Sequence, residues 1–263
     1  TEVFPRATVE KMAKYGFLGI PVPKEYEGQG CDPLTYVMCV EELAKVCATT
    51  SVIVSAHTSL CIDPILTYGT PEQKAKYVPD LASGRKLGAF GLTEPGAGTD
   101  AQGQQTKAVL DGDEWVLNGS KCFITNGGIA SFYCVTAMTD KTKGVKGMSM
   151  FFVEKGTPGL STGKEENKMG IRTSNTCDVV LEDVRIPASN LIGEEGKGFN
   201  IAMQTLDQAR TWMGCVATGI AQRGINEAIA YGKERVQFGK PIIKNQALKF
   251  KVADMEIKTE TAR

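Results

Sequence analysis

The sequence predicts a multidomain α and β protein: an N-terminal helical domain, a middle antiparallel β-barrel or sandwich domain, and the start of a C-terminal helical bundle. Two switches of hydrophobic period carry this reading. Apolar residues recur at helical spacing up to about Leu87, in short β-type runs from about Ala89 to Ile192, and at helical spacing again from Phe199. The corresponding domains are residues 1–88, 89–195 and 196–263, and 263 residues leave room for two or three domains at ~100–200 residues each.

The first third reads as VEKMAKYGF, LTYVMCVEELAKVCATTSVIVSAH and PEQKAKYVPDLASG, separated at PVPKEYEGQGCDP by Pro and Gly. In the long segment Tyr36, Val37, Val40, Leu43, Ala44 and Cys47 fall on one helix face. Thr70 followed by Pro71 has the form of an N-cap and a first-turn proline. In the middle third the runs TKAVL, EWVLNGS, KCFITNGG, FYCVTAMT, GMSMFFVEKG and CDVVLEDVRIP alternate with turn chemistry, and Asp111-Gly112 and Asn118-Gly119 are hairpin-type dipeptides. The last third holds one long helix from Phe199 to about Lys233, a turn at Gly239–Pro241 and a further helix from Lys244. Phe199, Met203, Leu206, Arg210, Met213, Ala217 and Ile220 share a stripe of the long helix.

Composition excludes several classes of function. Lys+Arg and Asp+Glu both number 30, so no net basic field draws the chain to nucleic acid or an anionic membrane, and no run of ~18 apolar residues spans a bilayer. A single histidine, His57, rules out a multi-His metal site; within SVIVSAHTSL it reads as a helix-surface or core residue. The eight cysteines contain no C-x-x-C pair and fit buried thiols of a reducing compartment, so the chain reads as cytoplasmic and metal-free. It opens at Thr1 and stops at Arg263 within a helical pattern, which reads as a fragment truncated at both ends.

The densest chemistry lies in FGLTEPGAGTDAQG, Phe90 to Gly103. It lacks the third glycine and the following helix of a dinucleotide fingerprint, and no phosphate-binding G-x-x-x-x-G-K-[ST] occurs. Close-approach backbone with hydroxyls at Thr93 and Thr99 can line a phosphate or a flat ring, or form an ordinary interdomain loop. Arg210, on an apolar stripe, requires either a carboxylate such as Asp207 at i−3 or an anionic ligand.

Gly91, Leu92, Thr93-Glu94, Ala97-Gly98-Thr99-Asp100 and Gly103 resemble, position by position, the glycine-rich signature of the acyl-CoA dehydrogenase family. The resemblance extends through YGFLGIPVPKEYEGQG, NGSKCFITNGG, MGIRTSNT, LEDVRIPASNLIGEEGKGF and ERVQFGKPI, and is strongest to the bacterial short-chain, butyryl-CoA-type branch. It implies FAD, oxidation of an acyl-CoA substrate to trans-2-enoyl-CoA, reoxidation by electron-transferring flavoprotein, and a homotetramer. By the same resemblance, Phe90, Leu92, Thr93, Gly98 and Thr99 run along the flavin and pyrophosphate, and Phe123, Ile124 and Thr125 lie against the flavin ring. Phe123 stands where many relatives carry Trp. Arg235, Phe238 and Gln246 match positions that reach FAD across a subunit interface, and Thr99, Asp207 and Arg210 match acyl-CoA contacts. No catalytic residue is assigned: Ala209 occupies the position where some branches carry the glutamate base, and the base of the short-chain branch is expected beyond Arg263. An acyl-CoA oxidase and a non-catalytic flavin- or acyl-CoA-binding protein on the same fold are the alternatives.

Overall fold

The computed structural model describes residues 2–263. Helices occupy the chain up to residue 82: α1 (Arg6–Lys14), α2 (Pro33–Val46), α3 (Ala48–Ser55), α4 (Asp63–Tyr68) and α5 (Pro71–Ala82). A turn of π-helix, Ala56–Ile62, joins α3 to α4 without a break. Asp32 caps α2 by accepting from the Thr35 N–H at 2.7 Å, and Thr70 and Gln73 form a reciprocal capping box ahead of α5. The capping expected at Thr70-Pro71 is therefore present.

Two local expectations are corrected. The long helical segment after Leu34 breaks at Cys47, whose backbone is extended (φ −152°, ψ 103°), so Cys47 is exposed and leaves the apolar face. Asn118-Gly119 is not a hairpin but lies inside a single strand; the tight turn is at Asp111–Glu114 alone.

Eight strands, β1 (Gly88–Gly91), β2 (Lys107–Asp111), β3 (Glu114–Thr125), β4 (Phe132–Met138), β5 (Met148–Glu154), β6 (Leu160–Thr162), β7 (Thr176–Pro187) and β8 (Leu191–Ile192), form one sheet. Their order is β6-β7-β3-β2-β4-β5-β8, with β1 also on β4. Most pairs are antiparallel, as expected, but β1 and β2 both run parallel to β4 along the same edge, β1 against Phe132–Val135 and β2 at Met138. The chain between them, residues 92–106, must leave the sheet at that seam. Three strand spacings, about 14 Å when flat, separate β3 from β5. The rings of Trp115 and Phe151 on those two strands are nevertheless only 5.2 Å apart, so the sheet curls around a core of Leu117, Ile124, Val135, Val153 and Val184.

Helix α6 (Gly198–Glu234) runs 37 residues, followed by a two-stranded hairpin, β9 (Val236–Gln237) and β10 (Lys240–Pro241), and by α7 (Gln246–Ala262). The buried face of α6 is Ile201, Ala202, Thr205, Ala209, Trp212 and Val216, with Trp212 against Tyr36 of α2 at 4.6 Å between ring centroids. This is not the stripe the spacing suggested. Helix α6 carries apolar residues on two faces; the one through Arg210 leaves Met213 and Ile220 exposed, so Arg210 is a surface charge and not a buried one. All eight cysteines are free thiols.

Candidate functional site

Helices, sheet and α6 meet at a cleft of about 510 Å³. One wall is the end of β1 and the loop after it, Phe90, Leu92, Thr93, Gly98 and Thr99. The loop is held from behind. Glu94 closes a tight turn by exchanging backbone hydrogen bonds with Ala97, and its carboxylate accepts from the N–H groups of Gln105 (2.6 Å) and Thr106 (3.1 Å). The Lys121 ammonium, wholly buried, donates to Glu94 Oε1 at 2.7 Å. Burial pulls Lys121 down to about 8, while the Lys121 charge and the amide donors hold Glu94 below its ordinary range although burial opposes them.

The second wall is the end of β3. Its register against β7 is interrupted between Lys121 and Ile124, and within that bulge Phe123 takes a left-handed backbone (φ 59°). Its ring is 65% exposed, while Ile124 beside it is buried. A large side chain in strained backbone with its ring in a cleft is a preformed platform for a flat ligand.

The floor is Ala56 and Leu60 of the π-turn. Between them His57 is fully buried and neutral: Nδ1 accepts from the Gly88 N–H at 2.9 Å and Nε2–H donates to the Leu81 carbonyl at 3.0 Å. Burial pushes its imidazolium down to about 4. It is a core histidine that ties α5 to the start of β1 and has no nucleophile to serve. The third wall is Phe199, Met203, Leu206 and Arg210 of α6. Arg210 donates to Asp207 Oδ1 at 2.9 Å across an exposed pair, which leaves its other donors available.

Of the residues singled out in the sequence, Phe90, Leu92, Thr93, Gly98, Thr99, Phe123, Ile124, Thr125 and Arg210 all line this one cleft. Asp207 stands outside its lining and touches it only through Arg210. Arg235, Phe238 and Gln246 lie apart, at the elbow between α6 and α7; Phe238, at the tip of the β9–β10 hairpin, has φ 51° and is 97% exposed. Sequence reasoning missed Ala56 and Leu60, because a π-turn leaves no trace in apolar spacing. It also passed over Lys121, which in Gly119-Ser120-Lys121-Cys122 looks like an ordinary strand lysine and shows its burial only in the folded chain.

The cleft suits a flat, phosphate-bearing group. A Cβ on Gly98 would meet nothing within 4 Å, so backbone faces open space there, and Thr93, Thr99 and Thr125 line the same cleft. Asp100, the one carboxylate among the lining residues, accepts from the Gln102 N–H at 3.2 Å. Ala209 is buried on the other face of α6. No cluster of three or more His, Cys, Asp or Glu among the described residues is placed to hold a metal, and no described helix is long and apolar enough to cross a membrane.

Comparison with known proteins agrees with this arrangement. Three family models match in order: the N-terminal domain of acyl-CoA dehydrogenase over residues 1–85, the middle domain over 89–184 and the C-terminal domain over 196–263. A short-chain-specific acyl-CoA dehydrogenase of Clostridium acetobutylicum is 57% identical over the whole chain, which covers 69% of that protein. The butyryl-CoA dehydrogenase of Megasphaera elsdenii superposes with a TM-score of 0.96 at 49% identity, over 99% of this chain and 69% of that one. A chain from an Acidaminococcus fermentans structure described as an electron transferring flavoprotein, concerned with flavin-based electron bifurcation, superposes at 0.97 with 52% identity, over 99% and 68%. An acyl-CoA dehydrogenase of Bacillus anthracis in complex with FAD superposes at 0.91 with 39% identity, over 97% and 44%. With all three family models matched in order along a chain whose helices, sheet and long helix converge on one cleft, the protein belongs to the acyl-CoA dehydrogenase family of enzymes.

Proposed function

We propose that this chain forms the FAD and acyl-CoA site of a dehydrogenase that converts a short-chain acyl-CoA of the butyryl-CoA type to the trans-2-enoyl-CoA and delivers the electrons to electron-transferring flavoprotein. The observation that carries the reading is the single cleft in which the glycine-rich loop, the Phe123 bulge and Arg210 converge. Bound FAD supplies a two-electron acceptor for the hydride leaving the β-carbon. The chain's own residues hold and orient. Phe90, Leu92, Thr93, Gly98 and Thr99 form one face of the flavin channel, and Phe123, Ile124 and Thr125 form the facing wall. Arg210, positioned by Asp207, offers guanidinium donors to the anionic part of the acyl-CoA, and Thr99 lies on the same rim.

Arg235, Phe238 and Gln246 do not line this cleft and are exposed, which suits contact with the FAD of a second copy in a tetramer. The reading assigns no base to this chain. A methyl at Ala209 takes no proton, Asp207 is engaged by Arg210 outside the lining, and Asp100 caps its own loop.

The test is an anaerobic visible spectrum of the protein supplied with FAD, before and after butyryl-CoA. Retained flavin whose band is perturbed but not bleached is expected. Failure to retain FAD overturns the reading; bleaching supports the reaction and overturns the absence of a base among these residues.

A further inference from the structure

Lys121 reaches neither the surface nor the cleft, yet it carries a charge into a place where charge is costly. Its ammonium has three hydrogens and faces four acceptors: Glu94 Oε1 (2.7 Å), Gln104 Oε1 (3.0 Å), the Leu92 carbonyl (3.2 Å) and Thr136 Oγ1 (3.3 Å). The acceptors are themselves tied together. Gln104 Nε2 donates to the Leu92 carbonyl at 3.0 Å, and Thr136 Oγ1 donates to Gln104 Oε1 at 2.9 Å. The lysine stem runs beneath Gly91, where a Cβ would lie 3.2 Å from Lys121 Cγ, so the β1 wall rests directly on it.

The same residue ends the regular register of β3. Lys121 pairs with Val179, regular pairing resumes only at Ile124 with Cys177, and Phe123 is turned out between them. Immediately after Lys121, the Cys122 N–H donates to the Thr93 carbonyl at 2.9 Å, which stitches the bulge to the loop. The side chain of one residue thus grips the first wall of the cleft while its backbone begins the second.

We infer that Lys121, paired with Glu94, is a positioning residue that sets the separation of the two cleft walls and so the grip and surroundings of a flavin held between them. The inference rests on the flavin reading above. A buried pair of this kind contributes little net stability compared with apolar replacements, so structural support alone gives no reason for a charge here. A fixed separation between two backbone segments does, because the ammonium bonds the Leu92 carbonyl, Glu94 and Gln104 on one wall while its own backbone begins the bulge of the other.

The experiment compares Lys121→Met with the double variant Lys121→Met/Glu94→Gln, which removes the orphaned carboxylate charge. Three quantities are read: the melting temperature, the FAD dissociation constant with the visible flavin spectrum, and hydrogen exchange at the Cys122 amide. The single variant is expected to lose stability and the double to regain it. The double variant is nevertheless expected to bind FAD about tenfold more weakly, with a shifted band, and to exchange the Cys122 amide faster while the rest of β3 stays protected. A double variant with wild-type FAD affinity, spectrum and exchange overturns the inference. If the wild type itself binds no FAD, the functional reading fails, and the exchange measurement still decides whether Lys121 holds the walls together. Should the double variant not fold, Glu94→Gln alone is read the same way: faster exchange supports the inference and unchanged exchange overturns it.

Discussion

Phe123 shows how a single residue can be costly to the fold and useful to the site. A non-glycine residue held at positive φ costs on the order of 1–3 kcal/mol, and here the ring is mostly exposed, so little apolar burial offsets it. Phe123→Gly is therefore expected to raise the unfolding free energy by about 1 kcal/mol while weakening FAD binding. Chemical denaturation and a flavin titration check both halves, and a destabilised variant would contradict the strain argument. His57 governs acid stability in a defined window. Its folded value of about 4 lies below the ordinary 6.5, so between these the unfolded chain takes up a proton that the fold refuses. Stability from this group is full above pH 6.5 and falls on acidification toward pH 4, by up to about 3 kcal/mol. Asp63 runs the other way. Burial raises its carboxyl from 3.8 to about 6, so the stability its proton confers is present below 3.8 and is lost as the pH rises through 6. The two slopes oppose each other, and His57→Gln isolates the first: unfolding free energies from pH 7 to 4 should fall less steeply in the variant than in the wild type. An unchanged slope would show that the ring titrates normally.

At the scale of the element, β3 carries most of the information that sequence reading mishandled. Asn118-Gly119 has the composition of a hairpin, yet the strand runs through it, and Gly119 admits the close approach of Thr106, just ahead of β2: a Cβ there would sit 2.3 Å from Thr106 Oγ1. The register shift against β7 at the same point is closed by Asn118, which donates to Asp183 Oδ1 at 3.0 Å and accepts from the Asp183 N–H at 2.9 Å. Gly119→Ala is expected to cost about 2–4 kcal/mol, measured by denaturant unfolding. A neutral outcome would mean that the β2–β3 approach relaxes freely. Local signals at helix ends fared better. Thr70-Pro71 was readable as a cap because capping needs only residues within one turn, and Thr70→Ala should cost about 1 kcal/mol.

For the whole molecule, the cleft exists only because four segments distant in the chain converge on it: the π-turn, the loop after β1, the end of β3 and α6. The family resemblance placed both sheet walls at one flavin, but the floor of Ala56 and Leu60 was not legible, since it depends on the π-turn packing beneath them. Arg235, Phe238 and Gln246 extend the argument beyond one copy. If they serve a neighbour's flavin, Arg235→Ala will lower the ratio of flavin to protein after gel filtration without altering the cleft of its own chain. Unchanged occupancy would remove these residues from the site.

The order of elements and the Thr70 cap follow from periodicity and turn chemistry, which act over a few residues, while the glycine-rich loop and the residues of its facing strand were marked by the family resemblance. Tertiary structure alone decided the rest. It turned Phe123 out of its strand, chose which of two apolar faces of α6 is buried, and so made Arg210 a rim charge where the spacing had suggested a buried one. It also placed Lys121 beneath Glu94. These outcomes depend on which distant surfaces come into contact, and in a helix apolar on two faces, or a strand that bulges, the local pattern is equally satisfied by more than one answer.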